Sequence, residues 1–425
     1  MNHESANDES RIANDESRIS RFTFHVSRLT SKTQNPKFKI LPLACILLAL
    51  IAAAPLWGPG MVNTRGGGDS PFLLQRTLDM AENLRYGIFP PRWMAHAAYD
   101  LGYPMFNHYA ALPYYLSGGL AALGISPLVA IQATQTLGFV LAALAMALWA
   151  GRIYRSQAAT LLSVAAYTFA PFHLVNVYVR GDSLSEFYAF VWYPLILWSL
   201  ERLAERPTRR RIVAAALAYG ALILTHNVSA LIFAPFALLY AVARMANRES
   251  ADRRIGESAN RELRITSHEF HVSRFLSKIR NLKSKIPLPI SRFLRPASCI
   301  LLPFLLAFML TAWFWAPAIL ETKYGQMGSE FTEGYFHYSH HFRGWNLVQP
   351  SLAFNYGIAI RTEDAGPFAM GLVQTGLAAV GAGLLTVSLV KSQIANRKSQ
   401  IANRKLQIAN RKSQGSESAE QRVSE

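Results

Sequence analysis

An aspartate directly behind three glycines, in GGGDSPFLLQRTLDMAENLRYG from position 66, is the first residue with a setting for chemistry. Glycines let the backbone turn sharply and approach a ligand closely. Asp69 can equally cap the helix that its own segment predicts, with Pro71 in the first turn. Further on, Arg180, Asp182 and Glu186 share the segment RGDSLSE. The two acids are four apart, so they fall on one helical face at the mouth of the next apolar run; an ion pair with Arg180 would spend the same charges on structure alone. His226 closes the apolar run LILTH and reads either as a satisfied histidine at an apolar boundary or as a substrate contact.

Other chemistry is weakly signalled. His337, His340 and His341 crowd YFHYSHHF, but no matched cysteine or carboxylate spacing accompanies them, so an aromatic loop at an interface accounts for them better than zinc. Phosphate-loop and dinucleotide fingerprints are absent, and the glycines at 66–68 do not follow a predicted strand. Cys45 and Cys299 both lie in apolar windows and suggest neither a disulfide framework nor a metal site.

The elements that must position these residues are membrane helices. Of 425 residues, 51% are hydrophobic and 16% charged, and the apolar residues are gathered into unbroken stretches. A span needs about 20 such residues to cross roughly 30 Å of hydrocarbon. Windows of this kind occur at 40–57, 128–150, 158–179, 187–203, 212–224, 228–243, 298–320 and 368–390, which predicts an all-α, polytopic transmembrane bundle of about eight spans. Water is absent from the hydrocarbon, so helices alone satisfy the backbone there.

The net charge of +17 does not make a nucleic-acid protein. The polar tracts 1–39, 245–295 and 391–425 hold 27 of the Lys and Arg and 13 of the Asp and Glu, hence +14 of the charge, without a basic stripe interleaved with aromatics. These tracts are repetitive. ANDESRI occurs twice from position 6, KSQIANR recurs from position 391, and FHVSRLTSK at 24–32 returns as FHVSRFLSK at 270–278. The seven-residue period lacks a second apolar position, so it makes no coiled-coil seam. The tracts are read as low-complexity segments, unstructured or in lone helices. The expected organisation is a cytoplasmic tail (1–39), a transmembrane module (40–244), a cytoplasmic insert (245–295), further transmembrane helices with an outer loop at 321–366 (296–390), and a heptad-repeat tail (391–425).

Lys32, Lys37 and Lys39 before the first span place the N-terminus in the cytoplasm of a multi-pass cell-membrane protein. Keeping the arginines at 202–211 inside as well requires that 109–124 not cross. Its tyrosines, Pro113 and paired glycines fit a segment lying along the interface or re-entering. The residues singled out above then gather on the extracytoplasmic side, Asp69 in a long first outer loop that also holds His108.

An aspartate just past the first span, that long loop, and the segments WMAHAAYDLGYPMFNHYAALPYYLSGGL, RGDSLSEFYAFVWYPLILWSLERL and LTHNVSAL resemble the bacterial membrane family labelled 6-pyruvoyl-tetrahydropterin synthase-related. More distantly the chain resembles the GT-C superfamily of glycosyltransferases that use polyprenyl-phosphate sugars. The resemblance covers 40–243 and continues over 298–390. The superfamily resemblance implies Asp69 as catalytic base, a second acidic motif at Asp182 and Glu186, and a sugar donor linked to a polyprenyl phosphate. Arg180, or a divalent ion on those acids, would steady the phosphate, with His108 and His226 as further substrate contacts. GT-C enzymes carry more spans or a soluble C-terminal domain, so an inactive, truncated copy is one alternative. A transporter or flippase of lipid-linked sugars is another. Such proteins place ionisable groups at mid-membrane, and the span interiors here hold few, which favours surface chemistry.

Overall fold

In two of the membrane helices of this chain the small residues point inward and the large apolar ones outward. The computed structural model describes residues 37–62, 70–181, 183–266, 291–324, 348–349, 351–352 and 370–384, with isolated helical positions to 401. In α1 (Lys37–Ala53), Cys45, Ala49, Ala52 and Ala53 are buried, while Leu43, Leu47, Leu50 and Ile51 are exposed. The same inversion recurs in α9 (Asn227–Thr266), where Ala230, Ala237 and Ala241 are buried and Leu231, Ile232, Phe236 and Leu239 exposed. Lipid is as apolar as leucine, so it gives large side chains no reason to turn inward, and small ones let backbones approach closely.

Between these two helices the chain runs through a 3₁₀ turn (Ala54–Trp57), α2 (Ser70–Arg85), α3 (Leu112–Ala122), α4 (Pro127–Tyr154), α5 (Gln157–Thr168), α6 (Pro171–Tyr178), α7 (Leu184–Glu205) and α8 (Arg209–Thr225). After α9 come α10 (Ser291–Leu310), α11 (Ala312–Leu320) and α12 (Leu372–Leu384). Among the described residues there is no strand, only the bridges Met94–Tyr103 and Val348–Met370. The chain divides into two compact units, residues 1–169 with 176–323 and residues 170–175 with 324–425. In the first, α4 packs on α1, α5 and α7, while α7 also packs on α8 and α9, and α10 on α8. In the second, Gln349 N donates to Met370 O over 2.9 Å just before α12.

Among the described residues, three helices are long and apolar enough to cross a membrane: Ile40–Trp57, Pro127–Tyr154 and Asn227–Met245. Two pairs, Gln157–Thr168 with Pro171–Tyr178 and Cys299–Leu310 with Ala312–Leu320, are bent at short breaks and raise the number to five if each is one span. The sequence windows 158–179 and 298–320 are therefore not continuous helices. Pro171 disfavours helical backbone at the residue before it and ends α5. The break at Thr311 bends the second pair by 66°. Of the other windows, 187–203 lies in α7, whose ends carry Glu186, Glu201, Arg202 and Glu205, and 212–224 lies in the 17-residue α8. The part of 368–390 that forms a short apolar helix is Leu372–Leu384.

α2 and α3 hold the first loop together. Arg76 Nη1 donates to Tyr114 Oη (3.2 Å), Thr77 Oγ1 and Ser117 Oγ share a hydrogen bond (3.0 Å), and Arg85 Nη2 donates to Ala121 O (2.6 Å). The partners advance in step, so the two helices lie side by side and parallel. Gly118 permits the approach: a Cβ there would sit 2.3 Å from Met80 Cγ. At 11 residues, α3 is about 16 Å long and too short to cross the hydrocarbon. α9 continues unbroken past the expected module boundary at 244 to Thr266.

Candidate functional site

Proline makes one of the anchors of the site. Pro317 lies inside α11 and has no N–H to give to the carbonyl four residues back, that of Trp313. That oxygen accepts from Arg92 Nη2 at 2.9 Å instead, while Arg92 Nη1 donates to Asn107 Oδ1 at 2.6 Å. Asn107 is buried, and its amide nitrogen donates to Glu321 Oε2 (2.7 Å) and lies 3.5 Å from His108 Nε2. The same device recurs in α7, where Pro194 frees the Phe190 carbonyl to accept from Tyr167 Oη at 2.7 Å.

Arg92 stands at the wall of a cavity of about 180 Å³. Phe89, Phe106, Tyr115, Leu224, Trp313 and Phe314 supply most of its apolar surface. Among the described residues no carboxylate lies within ion-pair distance of Arg92. An aromatic trough with one cation offers room for a hydrocarbon chain and a partner for an anionic group at its end.

A second polar group adjoins it. Leu224 lines the trough, and two residues on, His226 occupies the turn between α8 and α9. Its Nδ1 lies 2.6 Å from Ser229 Oγ. Burial holds His226 below the usual histidine range, with Glu186 pulling it up and Arg180 pushing it down, so the ring is neutral near pH 7. Arg180 pairs with Glu186 and also donates to Asn176 Oδ1 over 3.2 Å. Gly181, at φ +77°, makes the turn that brings Arg180 back to the first turn of α7, where Glu186 also meets the positive end of the helix. Asn176 is 1% exposed, and its Nδ2 has no hydrogen-bond partner among the described residues. Ser185 Oγ donates to Ala110 O (3.0 Å), which ties this group to Ala111 and Leu112 at the edge of the trough.

Of the residues singled out in the sequence, the structure thus brings together Arg180, Glu186 and His226. His108 belongs to the Arg92–Asn107–Glu321 network. Asp69, Asp182 and the histidines at 337, 340 and 341 lie outside the described residues; α2 begins at Ser70, immediately after Asp69. Sequence reading passed over Arg92, whose signal was an arginine fixed behind two prolines in FPPRW, and Glu321, which had been counted only as the start of a loop.

No curated protein and no solved structure matches the chain. Phe106, Tyr115 and Leu224 of the trough, the Arg180–Glu186 pair, His226 and the whole of α3 to α8 fall in one segment: residues 106–251 match the model of the 6-pyruvoyl-tetrahydropterin synthase related domain, a membrane protein family.

Proposed function

We propose that this membrane protein binds a polyprenyl-phosphate-linked sugar and transfers the sugar to an acceptor hydroxyl on the extracytoplasmic face, with its N-terminus in the cytoplasm. The aromatic trough, with Arg92 at its wall and no carboxylate beside it among the described residues, carries the reading: it suits an isoprenoid chain ending in a phosphate. Asp69 takes the proton of the acceptor hydroxyl, the oxygen attacks the anomeric carbon, and the sugar–phosphate bond breaks to release polyprenyl phosphate. Arg92 and Arg180 steady the charge on the leaving phosphate. The neutral His226, the amide donor of Asn176 that has no partner among the described residues, and His108 orient the sugar. Mg²⁺ or Mn²⁺ on Asp182 and Glu186 would add to the phosphate's stabilisation.

Translocation of the same lipid without transfer is the second reading, and the commitment of Glu186 to Arg180 favours it, since that pair is then structural. Membranes bearing the chain, given radiolabelled polyprenyl-phosphate sugars and candidate acceptors, separate the two. Transfer that falls about a hundredfold or more in folded Asp69→Asn supports the catalytic assignment. Full transfer in that variant removes it. Flipping of the lipid-linked sugar in vesicles without any transfer puts translocation ahead.

A further inference from the structure

A second group of ionisable side chains lies on α2, apart from the trough. Asp79 and Glu82 are three residues apart on this helix and share a face. The loop after α2 is bolted back to it: Asn83 Nδ2 donates to Asp79 O (2.7 Å) and to Trp93 O (3.0 Å), and Met94 and Tyr103 exchange backbone hydrogen bonds of 2.9 Å. Three successive residues, Ala98, Tyr99 and Asp100, hold left-handed backbone to close that loop, at a cost of roughly 1–3 kcal/mol each. The effect is to deliver His96 onto the two acids. Its Nε2 lies 2.8 Å from Glu82 Oε2, its Nδ1 lies 3.0 Å from Asp100 Oδ1, and its backbone N–H donates to Asp79 Oδ1 at 3.1 Å.

Asp79 is 1% exposed, and its Oδ2 is buried with no hydrogen-bond partner among the described residues. A buried carboxylate oxygen without a donor is costly. One ligand atom each from Asp79, Glu82 and His96 lie within 4.8 Å of one another. In a tetrahedral or octahedral shell with bonds of about 2.1 Å, neighbouring ligand atoms stand about 3.0–3.4 Å apart, so closing on a cation takes side-chain shifts of no more than about 1.5–2 Å. Glu82 and His96 are partly exposed, which leaves the ion a path from water.

We propose that Asp79, Glu82 and His96 bind a divalent transition-metal ion, Mn²⁺ or Zn²⁺, and that the ion clamps the loop carrying Arg92 to α2. Two carboxylates and one imidazole are a ligand set for these ions rather than for thiolate-bound metals. Asp100, on the far nitrogen of His96, orients the ring and raises its basicity as a carboxylate behind a metal-bound histidine does. The ion also supplies the partner that Asp79 Oδ2 lacks.

The test uses the full chain in detergent, without a histidine tag, stripped with EDTA and titrated with MnCl₂ or ZnCl₂, with MgCl₂ and CaCl₂ as controls. Bound metal is counted by mass spectrometry and affinity read by calorimetry. One ion per chain is expected, with a higher unfolding temperature when it is bound. His96→Ala removes a half-exposed side chain and keeps the fold, checked by circular dichroism; it should weaken binding tenfold or more, and Asp100→Asn also by about tenfold. A variant with alanine at 337, 340 and 341 should keep the ion. Absence of saturable binding overturns the proposal. So does undiminished affinity in His96→Ala and Glu82→Gln, or loss of the ion in the triple-alanine variant.

Discussion

Replacing Arg92 with methionine separates what this side chain does for the fold from what it does for a ligand. The change removes two hydrogen bonds, to Asn107 Oδ1 and to Trp313 O. The second acceptor can turn to water at little cost. Asn107 is 3% exposed, so its oxygen is left without a donor, which costs about 1–2 kcal/mol and lowers the unfolding temperature by a few degrees. Charge-assisted bonds from a guanidinium to a phosphate are worth about 1.5–3 kcal/mol, so affinity for polyprenyl phosphate should drop roughly 10- to 150-fold. The double variant Arg92→Met/Asn107→Leu removes the orphaned oxygen as well and should recover most of the stability while binding stays weak. Scintillation-proximity binding of radiolabelled polyprenyl phosphate to detergent-purified protein reads the affinity, and uncharged polyprenol, which lacks the phosphate, should bind all three proteins alike. Undiminished phosphate affinity in the double variant, or an affinity that recovers in step with its stability, would refute the assignment of Arg92 to a lipid phosphate.

Two further substitutions test the frame. Gly118→Ala would place a Cβ 2.3 Å from Met80 Cγ and 3.2 Å from the Ala81 backbone nitrogen, and Met80 is fully buried, so α2 must move off α3 at a cost of about 1–3 kcal/mol; an unchanged unfolding temperature in detergent would mean that the two helices do not pack this closely. Arg244→Met leaves the 5%-exposed Glu201 carboxylate with Tyr240 Oη, at 2.9 Å, as its remaining hydrogen-bond donor among the described residues, and should cost about 2–3 kcal/mol, less than for a fully buried pair because Arg244 is 40% exposed. Glu201→Leu/Arg244→Met should recover most of that loss, and a double variant as unstable as the single one would count against the pairing.

The bundle was legible because its signal is compositional: a run such as ILPLACILLALIAAAPLW has no other stable use than a helix in lipid. Its interruptions were less so. Hydropathy averages over a break, so the windows 158–179 and 298–320 predict single helices where the chain bends, before Pro171 in the first and at Thr311 in the second. The short α3 was legible for the opposite reason, since Pro113, Gly118 and Gly119 visibly spoil a crossing. Which side chains face inward was not legible from apolarity, because the buried positions of α1 and α9 are cysteine and alanines rather than leucines. Size, not hydrophobicity, carries that information in lipid.

The site divides along the same line. Arg180 and Glu186 could be paired from sequence because they sit six residues apart in one short segment, and Asp79 and Glu82 could have been, since they lie three apart on a helix the sequence already predicted. What sequence spacing cannot supply is the closure of a loop. His96 reaches those acids through the Asn83 amide and the Met94–Tyr103 bridge, and Arg92 reaches the Trp313 carbonyl across more than two hundred residues because a proline leaves that oxygen open. Both bonds belong to the 86–111 loop, which carries Arg92, His96, Asn107 and His108 at once. A single rigid loop therefore sets the cation of the trough and the imidazole of the α2 cluster together, and clamping it to α2 through His96 would narrow the positions open to Arg92. If both readings hold, metal removal should weaken polyprenyl-phosphate binding in the wild-type chain and leave Arg92→Met, which has no guanidinium to position, unaffected.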